Sequence, residues 1–362
     1  MTVLFCYLSG NMTLNDQDTQ SAIDNEREQL RSRAYEHLKA KHWSQAGEAF
    51  IQLLDYDASD EDALAGIATA LDGIGRYESL YAAAESLLDI YPNSARGLAF
   101  KARALQKLER LSEATIANDQ ALLLDTNLGL AWINRSGLQI LQHKFPEALR
   151  SSHRATELAP KDARAWANKG VAMLNLNHLI EALDAFEICL SLEPQFLLAL
   201  QMKGEILCRL GRMQEVITTA RQALTIQPDD LTALTQATLA LRALELYGPL
   251  VDITRELLKL SPESHFAWEN HMRGLRGQGR YDEALEPLDR VLELDPTNIR
   301  LWTTKADTLY RLDRFREATN AAEHAVQLNP DYPPARRIRE KAIMMMYRKK
   351  PARKNRPQLL PE

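Results

Sequence analysis

The sequence predicts an all-α fold of stacked helical hairpins, on three observations. Proline recurs in one register, at Pro92, Pro160, Pro194, Pro228, Pro262, Pro296 and Pro330, with Ala58 and Thr126 in the two remaining places. Every gap is 34 residues or a multiple of it, so the repeat carries no insertion. Within each period two apolar patterns of helical spacing flank a short polar break. A small residue recurs at position 20, at Ala46, Ala114, Ala148, Ala182, Ala284 and Ala318, where it lets the second helix approach the first. Self-similarity at such a period marks supersecondary units that bury their apolar faces on their neighbours.

Residues 163–196 show the unit most clearly. Trp166, Gly170 and Met173 follow helical spacing, Asn175 and Asn177 break it, Ala182, Phe186 and Cys189 resume it, and Glu193-Pro194 ends it. The unit resembles the tetratricopeptide repeat, whose pattern is aromatic at position 4, small at 8 and 20, aromatic or apolar at 24, Ala at 27 and Pro at 32. Only Cys189, at position 27, departs from it. The resemblance implies a right-handed superhelix (α-solenoid) of nine helix–turn–helix repeats with a C-terminal capping helix. It also implies a non-catalytic protein–protein interaction scaffold.

Taken in order, residues 1–26 precede the repeats. Val3 to Leu8 is apolar but too short for a membrane span and lacks the flanks of a signal peptide. Asn11 to Gln20 is polar and read as disordered, and Met12 is an alternative start. The nine units are 27–60, 61–94, 95–128, 129–162, 163–196, 197–230, 231–264, 265–298 and 299–332. Position 4 is Trp at Trp132, Trp166, Trp268 and Trp302, and position 15 is Gly at Gly75, Gly211 and Gly279, where a tight turn needs a permissive backbone. Leu80 and Leu250 replace the small residue at position 20, so their units are expected to pack least well. Pro146 and Pro249 fall in the first turn of a second helix, where proline is tolerated. Pro287 falls two turns into a helix expected to start near Tyr281, and a kink is predicted there. Residues 333–348 read as a capping helix with Ile338, Ala342, Met345 and Met346 on one side, and 349–362 as a basic disordered tail.

Composition adds one asymmetry. The chain carries a net charge of −5, yet the last thirty residues hold ten cations against Glu340 and Glu362, a net of +8. The three cysteines have no paired spacing, which suggests reduced thiols and a cytoplasmic setting. No catalytic or metal constellation is present: there is no HExxH and no CxxC, and the GLRGQGR stretch at 274–280 falls at a turn inside a repeat. No cofactor is expected.

Function must then come from a surface. Positions 2, 5, 9 and 12 of the first helix form a stripe outside the packing face, and in the family this stripe lines a concave, peptide-binding groove. The carboxylate clamp of the family is missing, since no triplet of units supplies its Lys and Asn set. A ladder of Asn at position 6 is present at Asn134, Asn168 and Asn270 but broken by Met202 and Gln236. Apolar side chains in units 129–230 suggest a groove for a partner's helix or extended segment. Its expected lining is Leu130, Ile133, Ile140, Leu141, Val171, Leu174, Leu198 and Met202, with Asn134, Arg164, Asn168 and Arg209 orienting the ligand. The competing reading is that several of these pack against neighbouring helices. The tail residues Arg348, Lys349, Lys350, Arg353, Lys354 and Arg356 offer a second surface, for nucleic acid or an anionic partner. A third reading makes the chain the regulatory or targeting subunit of an enzyme complex.

Overall fold

The computed structural model describes residues 14–348, which form nineteen helices and no strand. The chain divides into two compact units, Met1–Pro194 and Gln195–Glu362. The first holds α1 (Leu14–Lys39), α2 (Trp43–Tyr56), α3 (Glu61–Ile74), α4 (Tyr77–Ile90), α5 (Ala95–Lys107), α6 (Leu111–Leu124), α7 (Gly129–Leu141), α8 (Phe145–Leu158), α9 (Ala163–Asn175) and α10 (Leu179–Leu192). The second holds α11 (Leu197–Arg209), α12 (Met213–Ile226), α13 (Leu231–Ala243), α14 (Tyr247–Leu260), α15 (His265–Gly277), α16 (Leu285–Leu294), α17 (Ile299–Arg311), α18 (Phe315–Leu328) and α19 (Pro333–Arg348). Odd-numbered helices are the A helices of the hairpins and even-numbered ones the B helices. Within each unit consecutive helices pack together, and A helices also touch, as α5 does α3 and α7, and α13 does α11 and α15. The A helices therefore form one layer and the B helices the other.

Each hairpin is built by the same local devices. Position 34 caps the following A helix: Asp60, Ser94, Asp162, Asp230, Ser264 and Asn298 accept from backbone amides of its first turn. Position 15 ends the A helix. All nine residues there take a positive φ, between 55° and 83°, and only three are glycine; the others are Lys41, Glu109, His143, Asn177, Glu245 and Asp313. The chain reverses because the amides of positions 15 and 16 both return to the last turn, as Gly75 and Arg76 do to the Leu71 carbonyl.

Burial explains the rest of the pattern. The alanines at position 20 are fully buried, and so are Leu80 and Leu250, which the packing accommodates. A Cβ on Gly170 would stand 2.8 Å from the Phe186 ring, so position 8 of that unit must lack one. The position-4 indoles tie each unit to the last. Trp132, Trp166, Trp268 and Trp302 donate from Nε1 to the position-32 carbonyls of Thr126, Pro160, Pro262 and Pro296, at 2.8, 2.9, 2.6 and 2.8 Å.

Two expectations are corrected. Residues 14–26, read as lying in a partly disordered segment, belong to α1, because nothing from Leu14 to Lys39 is glycine or proline and most residues there favour helix. Pro287 kinks nothing. Residues 281–284 form a turn, α16 starts only at Leu285, and Pro287 is its third residue, where the missing amide had no intrahelical partner to lose.

The last helix caps the stack, as expected. α19 packs on α17 and α18 and buries Ala335, Ile338 and Ala342. It lies in the register of a tenth A helix. Arg336 stands where the tryptophans stand, and its Nε donates to the Pro330 carbonyl as an indole would.

Candidate functional site

Most of the residues expected to line an apolar groove serve the stack instead. Ile133 and Leu174 are only 3% and 5% exposed, and Ile133 packs with Ala155 and Ala165. Leu130 is half-buried against two core clusters, and Ile140, Val171 and Met202 are also half-buried. Only Leu141 and Leu198 stand largely exposed among the apolar set. The exposed Arg209 is paired with Glu205 on its own helix. The apolar stripe read from the sequence was thus largely the packing face, because A helices touch both a B helix and the neighbouring A helices and so bury more than one stripe.

The asparagine ladder has a structural role of its own. Asn134 donates from Nδ2 to the Ala99 carbonyl at 2.8 Å, and Asn168 to the Ile133 carbonyl at 3.0 Å and the Ser136 hydroxyl at 2.8 Å. Gln236, read as a broken rung, makes the same bond to the Gln201 carbonyl at 2.8 Å. In each case position 6 of one unit reaches position 5 of the unit before. Asn270 turns inward to the Phe266 carbonyl of its own helix and accepts from Arg242. The amide donors of Asn134, Asn168 and Gln236 staple A helices together, Asn270 is tied to α13 through Arg242, and the Oδ1 of Asn134 is buried without a hydrogen bond.

The A-helix layer of the first unit carries a buried ion network. Asp72 on α3, with a side chain 10% exposed, accepts from Arg103 Nε on α5 at 3.0 Å and from Arg164 Nη1 on α9 at 2.6 Å. Arg164 also pairs with Asp162 at 2.7 Å. Burial alone would lower the charge of this group, but the two carboxylates outweigh it and Arg164 holds its proton more tightly than a free guanidinium. Burial and the charges of Arg103 and Arg164 together lower the Lys107 pKa, against the opposing pull of Asp72. Arg164, expected to orient a ligand, is spent within the protein.

The second unit is different. Between α15 and α17 lies a cavity of about 430 Å³ with Arg273, Arg276, Arg300 and Arg311 in its wall. Its other lining includes Tyr247, Tyr281, Met272, Leu301, Thr304 and Glu269. One carboxylate, Asp307, serves two of the arginines: Arg276 at 2.7 Å and Arg311 at 2.9 Å. Arg311 also donates to the Tyr281 hydroxyl at 3.1 Å and lies over its ring. Arg273 is held only loosely, 3.7 Å from Glu269, and Arg300 has no acidic partner among the described residues. The Nε of Arg276 is buried without a hydrogen bond. Sequence reading passed over this cluster because its members are spread over two units, at positions 9 and 12 of one and 2 and 13 of the next. Comparing the A-helix cations of adjacent units would have shown it.

A second cleft, of about 530 Å³, opens on the other side of α15, against Trp268, His271 and Pro287. Burial and the Arg255 charge depress the His271 pKa, and its Nδ1 lies 2.9 Å from the Thr254 hydroxyl. Among the described residues no cluster of potential metal ligands occurs, and no helix is long and apolar enough to cross a membrane. Cys189 and Cys208 are unpaired, and burial pushes the Cys189 thiol up to about 12. Of the tail, Arg348 ends the described chain; Lys349, Lys350, Arg353, Lys354 and Arg356 lie outside the described residues.

Comparison with known proteins agrees with this architecture. Models of the tetratricopeptide repeat match residues 275–342 and 163–196. Among solved structures, PilF of Pseudomonas aeruginosa is similar over 59% of this chain and 96% of its own, with a TM-score of 0.51 and 20% identity. A MamA RS-1 double mutant is similar over 46% of this chain and 94% of its own, with a TM-score of 0.42 and 18% identity. No curated protein matches the chain. With two repeat models matched, and the same caps, turns and staples recurring in phase along the described residues, the chain is a tetratricopeptide-repeat protein.

Proposed function

We infer that the chain is a non-catalytic protein-interaction scaffold that holds a peptide segment or a helix of a partner on the face formed by its A helices. One observation carries this reading. In the second unit the A-helix face keeps side chains that packing does not consume, with Arg273 and Arg300 exposed and weakly paired or unpaired beside a cavity of about 430 Å³. Cations in a fold held together elsewhere by shared carboxylates cost stability through mutual repulsion and return nothing to packing. An A-helix face of this kind suits an incoming segment because its weakly held cations lie together beside a cavity, whereas Arg290 on the B helix α16 is paired with Glu293 at 3.0 Å.

The test is site-specific photocrosslinking in cells. A photoreactive residue at Thr304 in the cavity wall should trap a discrete protein adduct, and one at Arg290 on a B helix should not. Equal labelling from both sites would defeat the reading.

A further inference from the structure

Resting on that reading, we propose that the cavity between α15 and α17 binds an acidic peptide, with two of its carboxylates set between Arg273, Arg276 and Arg300 and an intervening apolar side chain laid on Met272 and Leu301.

Charge comes first. Four guanidiniums face two carboxylates, Glu269 and Asp307, so the wall keeps an excess of two positive charges. The excess is localised. Asp307 is shared by Arg276 and Arg311, which leaves one charge uncompensated there, and Arg300 carries the other; Arg273, exposed like Arg300, is only loosely held by Glu269 at 3.7 Å. An arginine fork presents paired donors that match a carboxylate edge, and such charge-assisted bonds are the strong ones.

The remaining lining selects among anions. Met272 and Leu301 are buried at the base, and Tyr247 and Tyr281 stand at one side. The cavity is therefore amphipathic, and its ligand should alternate charge with apolar surface. A nucleic-acid strand carries a charge at every step and would meet Glu269 and Asp307 as well as the arginines. A peptide can place its acids opposite Arg273 and Arg300 and keep them away from those two carboxylates. The tyrosines offer flat contact area at low entropic cost beside the charged groups.

The experiment measures fluorescence anisotropy with the full chain. The probe is a fluorescein-labelled hexapeptide of sequence Glu-Leu-Glu-Glu-Leu-Glu, and the control has Gln for each Glu. The variants are Arg273→Glu/Arg300→Glu, which changes exposed side chains and should fold as the parent does by circular dichroism, and Lys349→Gln/Lys350→Gln/Lys354→Gln, which removes charge from the tail. The parent is expected to bind the acidic probe saturably and at least tenfold more tightly than the control. The cavity variant should lose at least tenfold and the tail variant less than twofold. No saturable binding, equal binding by the cavity variant, or loss in the tail variant would each overturn the proposal. Preference for a phosphoserine peptide of the same pattern would overturn the assignment to carboxylates. If the probe fails while Thr304 still captures a partner, the acidic ligand is wrong and the interaction face stands; if Thr304 captures nothing, both fall.

Discussion

The guanidinium of Arg164 meets the carboxylate of Asp72 at 2.6 Å, across 92 residues of sequence. The pair joins α9 to α3 within one unit, with Arg103 on α5 completing the site. A stack whose units touch only their neighbours has no such contact, so this bond gives the first unit a long-range tie that the repeat pattern does not encode. Removing one partner leaves charge buried and uncompensated. Asp72→Ala, which strands Arg103 and leaves Arg164 with Asp162 alone, should destabilise the unit by about 3 kcal/mol. Glu113→Ala, which breaks the solvent-exposed Arg110–Glu113 pair, should be barely measurable. Urea denaturation of the full chain compares them.

Acid should loosen the same network. Burial raises the Asp162 pKa, but the hydrogen bond and charge of Arg164 outweigh it and hold the group below the ordinary carboxylate value. A folded-state pKa below the unfolded one contributes stability above about pH 4, and that contribution is lost as pH falls through the folded value. Thermal unfolding should therefore shift to lower temperature below about pH 4, and less steeply in Asp162→Asn than in the parent protein.

Asn118 is a defect that can be repaired. It is 1% exposed, and neither Nδ2 nor Oδ1 has a hydrogen-bond partner. It occupies position 24, where Phe50 and Phe186 fill the core of their own units. A buried amide without partners costs about 1–3 kcal/mol. Asn118→Leu should raise the denaturation midpoint by a comparable amount, and a lower midpoint would show that the amide is satisfied by water.

The stapling amides should behave in the opposite way. Asn168→Ala removes two hydrogen bonds between α7 and α9 while the Ser136 hydroxyl still donates to the Ile133 carbonyl, and it should cost about 1 kcal/mol. It should leave binding of the acidic hexapeptide within twofold of the parent. Hydrogen exchange would locate the loosening at α7 and α9.

Position 15 offers a gain in turn chemistry. Glu245 sits at φ 55°, a left-handed conformation that costs a residue with a Cβ about 1 kcal/mol. Glu245→Gly relieves that strain and offsets it partly by the larger entropy of the unfolded chain. A small rise in melting temperature is expected, smaller than that from Asn118→Leu.

The sequence by itself determined the repeat. Its period, the ends of the hairpins, the buried alanines at position 20 and the capping role of α19 all follow from local rules. Helix caps, turns and side-chain spacing depend on residues a few places apart, and the pattern states those directly. The tertiary structure decided which faces of the A helices remain for a partner. Ile133 and Leu174 read as a free stripe because a single helix cannot show that neighbours cover it on two sides. Gln236 read as a broken rung because a longer amide reaching the same carbonyl is a matter of distance and not of residue type. The late start of α16 placed Pro287 in a first turn, since the chain gives up one turn of helix more cheaply than it accommodates a proline in a helix interior. The tie from Arg164 to Asp72 and the excess of cations around Arg276 and Arg300 arise between repeats. Electrostatic pairing depends on separation in space, which a period of 34 residues leaves unspecified.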